Sequence, residues 1–167
     1  MASLDAQSRG AVIAQAERQA ASILQHFGII RPPTPENIVS YLGNVVIEHM
    51  DWKALSGACT RVDGQWILAV NKNHPKPRRR FTLMHEFKHA LDGVNARDYF
   101  AKREGPARTF EEFLADHFAV HILMPEAWVR ALYPRLKRVD TMAWRFGVSF
   151  QAMKVRLREL GLRTETP

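Results

Sequence analysis

Hydrophobic residues at helical spacing open the chain. Apolar side chains recur every three or four positions across residues 4–27, which predicts one amphipathic helix that ends near Gly28. Three prolines within residues 32–35 then interrupt the helical pattern. Thr34 is placed to cap a short helix that runs to Leu42.

The middle of the chain changes from helical to β spacing. Short segments with β-forming residues occupy residues 44–49, 54–60 and 65–70. Asp63 and Gly64 form a hairpin signal between the second and third segments. We therefore expect a small antiparallel sheet of about three strands.

Helical spacing returns at Arg79 and continues to the end of the chain. The first helix of this half ends at Gly93, and a polar loop around residues 102–108 leads to a second helix at 110–123. That second helix is apolar on most sides, so it should be central. Three further helix starts are indicated by Pro125, Asp140 and Ser149. The order of elements predicts an α+β fold: an N-terminal helix, a small antiparallel sheet, and a mainly helical half.

Composition limits the class of protein without deciding its function. The 167 residues fit one domain, 1–167, with a flexible start at about 1–10 and C-terminal helices at 126–167 that can form a helix-turn-helix. No apolar run approaches the roughly 20 residues that cross a bilayer, and no secretory signal is visible. Cys59 is the one cysteine, so an internal disulfide is excluded, and we expect a small buried residue there. These features favour a cytoplasmic protein, and the net charge of +7 is compatible with nucleic-acid binding but does not require it.

Residues 85–89 read His-Glu-Phe-Lys-His and match the H-E-x-x-H zinc motif. Positions four apart on a helix are offset by about 40° and lie one turn apart, so His85 and His89 can bind one tetrahedral Zn²⁺ ion. Glu86 lies beside that face, where its carboxylate can take a proton from a water on the metal and pass it to a leaving amine. Phe87 points away, toward the apolar face.

A catalytic zinc usually takes a third protein ligand, and the helix at 110–123 offers one. Glu112 and Asp116 are four apart and share a face, so Glu112 can complete the ligand set while Asp116 orients a ligand histidine. Thr109 and Glu112 also fit a capping box, in which the carboxylate only bonds back to the helix start. We favour the ligand role for Glu112, with Glu111 as the alternative.

His117 and His121 form a second histidine pair at a spacing of four. They lie far around the helix from Glu112, and the sequence shows no third donor on their face. A metal site needs a convergent third group, so polar histidines without a metal are the favoured interpretation.

Several linked segments resemble the ImmA/IrrE family of zinc metallopeptidases. Residues 79–89 (RRFTLMHEFKH) are similar to the zinc-motif helix of that family, which carries a basic pair and then Phe-Thr-Leu before the motif. Residues 112–119 (EFLADHFA) and 123–125 (LMP) resemble the glutamate helix of that family and its Leu-Met-Pro ending. Residues 55–57 (LSG), 70–71 (VN) and 145–149 (RFGVS) are similar to further family segments.

The resemblance implies a gluzincin-like peptidase with His85, His89 and Glu112 as zinc ligands. The same resemblance implies that Glu86 is the base and that Asp116 accepts a hydrogen bond from a ligand histidine. It also implies a protein substrate, a helix-turn-helix repressor that controls prophage, mobile-element or stress genes. Lys88 departs from the family pattern, which usually has Gly there, and its charge near the metal is expected to affect ligand affinity or substrate choice.

A competing hypothesis is a regulator without enzymatic activity. Residues 138–160 predict helix, turn and helix, and the last helix carries basic residues, so it could bind DNA or a repressor. A docking helix pair with a solvated basic face is the favoured alternative for that segment. The two functions are separated by the Glu86→Gln variant, by metal analysis and by the salt dependence of any DNA binding.

Overall fold

The computed structural model describes residues 6–93 and 109–163 and confirms the α+β fold. The loop predicted around residues 102–108 lies outside the described residues. The described elements, in chain order, are α1 (Ala6–His26), a 3-10 helix (Glu36–Leu42), β1 (Val45–Met50), β2 (Gly57–Val62), β3 (Gln65–Asn71), α2 (Lys76–Leu91), α3 (Phe110–Leu123), α4 (Glu126–Leu136), α5 (Val139–Phe146) and α6 (Phe150–Glu159).

The sheet is mixed, which corrects the predicted antiparallel sheet. Its strand order is β1-β3-β2, with β2 antiparallel to β3 and β1 parallel to β3. The Asp63–Gly64 turn, with φ values of 49° and 80°, pairs β2 with β3 as predicted. β3 takes the central position because its side chains at 68–71 are all buried, whereas β1 exposes several of its side chains.

A crossing loop at residues 51–56 makes the parallel pairing possible. Asn71, at the end of β3, is buried, and its side-chain amide donates to the backbone carbonyls of Trp52 at 2.8 Å and Leu55 at 2.7 Å. Its backbone N–H donates to the carbonyl of Ser56 at 2.9 Å. The loop is therefore held across the end of β3, so that β2 pairs with β3 on the side opposite β1.

α2 packs directly against the sheet, and further helices pack against α2 in turn. α2 contacts β2 and β3 on one side and α3 on the other, and α1 packs against α3. α2 begins at Lys76, earlier than the predicted Arg79, because proline is accommodated in the first turn of a helix. α3 has the predicted bounds, and its buried face includes Ala115, Phe118, Ala119 and Ile122.

Two predicted helix caps are wrong and one is confirmed. Thr34 does not cap the 3-10 helix, because the N-cap position is Pro35 and the buried hydroxyl of Thr34 donates instead to the carbonyl of Ile122 at 2.7 Å. Asp140 lies inside the first turn of α5, where it pairs with Arg138. Ser149 caps α6 by accepting from the backbone N–H of Ala152 at 3.1 Å.

Within residues 6–93 and 109–163, no helix combines the length and the apolar composition that crossing a bilayer requires.

Candidate metal centre

α2 has one buried apolar face and another face that carries His85 and His89. Leu83, Met84 and Phe87 are buried in the core. His85 and His89 lie between α2 and α3, with their rings edge to face at a centroid distance of 4.8 Å. Their Nε2 atoms are 3.1 Å apart. Burial of one apolar face of α2 therefore turns the histidine face toward the next helix.

The side chain of Glu112 reaches this pair from α3. Its two carboxylate oxygens lie 3.2 Å from His89 Nε2 and 3.7 Å from His85 Nε2. Ligand atoms bound tetrahedrally at zinc distances of 2.0–2.1 Å are separated by about 3.3 Å. The spacing of the three side chains therefore suits a divalent metal ion, and two nitrogen donors with one carboxylate are a typical catalytic set.

The capping box at the start of α3 forms only in part. The Thr109 hydroxyl accepts from the backbone N–H of Glu112 at 3.3 Å. The Glu112 carboxylate faces the histidines, so the cap uses the backbone of this residue while its side chain joins the cluster. Glu111, the alternative ligand, is exposed.

Asp116 lies one turn further along α3 and contacts the ring nitrogen of His85 that does not face the cluster. Its Oδ1 is 2.6 Å from His85 Nδ1. A proton on Nδ1 leaves the lone pair of Nε2 directed at the cluster, which is the tautomer that binds a metal. Asp116 is therefore placed to orient His85.

Glu86 is buried beside the histidines, with only 2% of its surface exposed. Gly57, the first residue of β2, lies against it. A Cβ atom at Gly57 would overlap Thr82 Cγ2 and lie 2.8 Å from Glu86 Oε1. Only glycine allows β2 to approach this part of α2, a role that the sequence pattern does not reveal because the contact joins two distant segments.

The cation of Lys88 is bound by polar side chains of α1 and of the C-terminal end of α2, and its effect on a metal stays a prediction. Lys88 is 6% exposed, and its Nζ donates to Gln19 Oε1 at 3.0 Å and to Asp92 Oδ1 at 2.6 Å. It also lies 5.9 Å above the ring of Phe118. Lys88 thus joins α2 to α1 and α3.

Cys59 lies in β2 and is buried. Burial, together with the nearby charge of Glu86, raises the pKa of its thiol to about 12. A thiol in this state is a poor nucleophile, so Cys59 is placed as a core residue.

The second histidine pair of α3 does have a third donor, which corrects the sequence interpretation. Glu17 of α1 lies against His117 and His121, a contact between segments 100 residues apart that no local pattern shows. Burial lowers the pKa of His121, so its neutral form is favoured.

One of the basic residues of the last helix is buried. Arg156 is 4% exposed, donates to the carbonyl of Met124 at 3.2 Å, and pairs with Glu159 at 3.5 Å. It therefore contributes to packing within the molecule.

An α+β fold that carries two histidines and a glutamate within reach of one metal ion, with a further buried glutamate on the histidine helix, is typical of a metallopeptidase-like domain. Residues 40–158 match the model of a peptidase family that is described as the IrrE N-terminal-like domain. The chain belongs to this family, the ImmA/IrrE family.

Similarity to known proteins supports the fold further. A solved structure of a Mycobacterium tuberculosis transcriptional regulator matches with a TM-score of 0.60 and 21% identity, and the match covers 86% of this chain and 46% of that chain. The chain therefore spans less than half the length of that regulator. No curated protein matches the sequence significantly.

Proposed function

We propose that the chain is a zinc-dependent endopeptidase in which His85, His89 and Glu112 hold the metal and Glu86 transfers protons. The observation that carries this proposal is the spacing of the three donor groups, which matches a tetrahedral zinc site next to a buried carboxylate. Membership in a peptidase family supports the same activity.

Each residue around the cluster would have a separate role in the reaction. Zinc at this position would polarise a peptide carbonyl and lower the pKa of a water molecule to about 7. Glu86 would act as the general base and acid, accepting a proton from the attacking water and delivering it to the nitrogen of the leaving amine. Asp116 keeps the proton of His85 on Nδ1, and Gly57 leaves the space that the Glu86 carboxylate occupies.

An extended substrate would bind beside the cluster, along the edge of the sheet. β2 is an edge strand of the described sheet, and its first residue, Gly57, contacts Glu86. An extended peptide can add to such an edge through backbone hydrogen bonds. This arrangement favours cleavage within an unfolded or extended segment of a protein.

The substrate that we propose is a helix-turn-helix repressor, whose cleavage would release prophage, mobile-element or stress genes. The resemblance of residues 79–89, 112–119 and 123–125 to ImmA/IrrE peptidases supports this substrate class. The structural neighbour that is named a transcriptional regulator is in keeping with a role in gene control. Such a role would place the chain in the cytoplasm.

The test is incubation of the purified protein with the repressor encoded nearest to it, followed by mass analysis of the fragments. We expect cleavage that a chelator abolishes and that added Zn²⁺ restores. The Glu86→Gln variant should bind zinc at His85 and His89 but lose cleavage by at least a hundredfold, because proton transfer is removed. Unchanged cleavage by this variant would exclude the proposed mechanism.

The alternative is a regulator that binds DNA or a repressor through its basic C-terminal helices. Burial of Arg156 reduces the charge that α6 can present. DNA binding that weakens steeply with salt would favour this alternative, as would a regulatory effect that persists in a variant with both His85 and His89 replaced by alanine.

A further inference from the structure

A second cluster of metal-binding side chains joins α1 to α3. It consists of Glu17 on α1 and of His117 and His121 on α3. At 100° per residue, the two histidines lie about 140° and about 180° around α3 from Glu112. The cluster therefore faces a different side of the helix from the candidate metal centre.

We propose that Glu17, His117 and His121 form a second binding site for a divalent transition-metal ion. The donor atoms all lie within 4.8 Å of one another. Glu17 Oε1 is 2.8 Å from His117 Nε2 and 3.5 Å from His121 Nε2. These separations bracket the value of about 3.3 Å for ligand atoms around a tetrahedral zinc ion.

The orientation of His121 also favours metal binding. Its Nδ1 donates to the backbone carbonyl of His117 at 2.8 Å, so the proton is on Nδ1 and the lone pair of Nε2 points to Glu17. A hydrogen bond from the far ring nitrogen to a backbone carbonyl is the usual support of a metal-ligating histidine.

His117 is held in position by ring contacts. Its ring stacks on Phe113 at a centroid distance of 5.6 Å and lies 4.2 Å from the ring of His121. Both histidine side chains are mostly buried, with 21% and 17% of their surfaces exposed. Little side-chain freedom remains to be lost when a metal binds, which favours affinity.

The surroundings leave room for additional ligands. A cavity of about 470 Å³ borders Glu17 and His121 and is otherwise lined mainly by apolar side chains, including Leu24, Ile29 and Trp128. Two neutral imidazoles and one carboxylate leave a divalent ion with a net charge of +1, so an anionic or water ligand can complete its coordination from the cavity. An ion in this position would join α1 to α3, the helix that carries Glu112.

The test is a Zn²⁺ titration of the chelator-treated full chain, with bound metal measured after equilibrium dialysis. We expect two ions per chain in the unaltered protein, one in His85→Ala/His89→Ala, and none when His121→Ala is added to that double variant. Glu17→Gln in the double variant should weaken the remaining binding by at least tenfold. His49→Ala, which removes an exposed histidine of β1, is the matched control and should leave that binding unchanged.

Stability provides a second measurement. At a Zn²⁺ concentration of about 100 times Kd, the folding equilibrium constant of the double variant should rise about a hundredfold, and His121→Ala should remove this effect.

If the double variant does not fold, His121→Ala alone should lower the stoichiometry from two to one. A double variant that binds no Zn²⁺, or binding that is unaffected by His121→Ala, would overturn the proposal and leave an ordinary ion pair between Glu17 and His117. Neither result depends on peptidase activity, so the proposed function is tested separately.

Discussion

At the scale of single residues, the contact between Asp116 and His85 bears most directly on the proposed metal centre. The carboxylate accepts from Nδ1 at 2.6 Å, and this hydrogen bond selects the tautomer whose Nε2 faces His89 and Glu112. Without it, the imidazole could rotate or carry its proton on Nε2, and either change would remove a donor from the cluster.

Replacement of Asp116 by alanine is therefore expected to weaken zinc binding at the candidate metal centre by about 10–100-fold. Competition with a chromophoric chelator measures this affinity. Glu111→Gln is the control, because Glu111 is an exposed acid on the same helix. Equal affinities in the two variants would show that Asp116 does not orient the ligand.

Cys59 supplies another prediction at the residue scale. Its pKa is raised to about 12, mainly by burial, so at about pH 8 almost none of the thiol is in the reactive thiolate form. Iodoacetamide should leave Cys59 unmodified in the folded protein and modify it in urea, as mass spectrometry would show. Modification of the folded protein at the rate of an exposed thiol would contradict this expectation.

At the scale of elements, the approach of β2 to α2 decides where the Glu86 carboxylate lies. Gly57 is the point of contact, and its missing side chain leaves the space that Thr82 and Glu86 occupy. Among the residues that the structure describes, the three-stranded order also makes β2 an edge strand, so the same contact connects the sheet edge with the candidate metal centre.

A Gly57→Ala substitution should crowd Glu86 and reduce both stability and activity. Overpacking of this kind costs about 1–3 kcal/mol, which urea denaturation would measure. Cleavage of the substrate should fall further than the loss of folded protein explains, because the added methyl displaces the carboxylate. Gly10→Ala is the control: a Cβ there meets nothing within 4 Å, and the change should stabilise α1. Full activity in Gly57→Ala would show that the approach of β2 is not required.

At the scale of the whole molecule, Arg80 connects segments that are distant in the sequence. Its guanidinium donates to the carbonyl of Thr34 before the 3-10 helix and to the carbonyl of Gly147 between α5 and α6. It also pairs with Glu36 at 3.3 Å. The basic pair of residues 79–80 therefore has a structural explanation, since its second member fastens the N-terminal and C-terminal regions to α2.

Arg80→Met should destabilise the whole domain. Each carbonyl that loses its hydrogen bond while remaining buried costs about 1–3 kcal/mol. The ion pair with Glu36 adds little, because that side chain is more than a third exposed. Arg79→Met is the matched control. Arg79 donates to the carbonyls of Lys72 and His74, which are closer to solvent, so this variant should lose less free energy of unfolding. Equal denaturation midpoints for the two variants would contradict this role for Arg80.

The sequence alone was sufficient for features that depend on local spacing. Helical periodicity determines that His85, Glu86 and His89 share one region of α2, and the bounds of α3 follow from its apolar run and its Thr109 cap. The hairpin at Asp63 and Gly64 is likewise a local property, because only a few residues can adopt its backbone conformation. Glu112 and Asp116 were predicted to share a face for the same reason, although their roles as ligand and support stay predictions.

Tertiary structure decided the contacts between segments that no local period relates. The loop held by Asn71 makes β1 parallel to β3, and the packing of β2 makes Gly57 the neighbour of Glu86. The packing of α1 directs Glu17 to the second histidine pair. Periodicity specifies which side chains share a face, but the partner of that face depends on how distant elements pack, which only the folded chain determines.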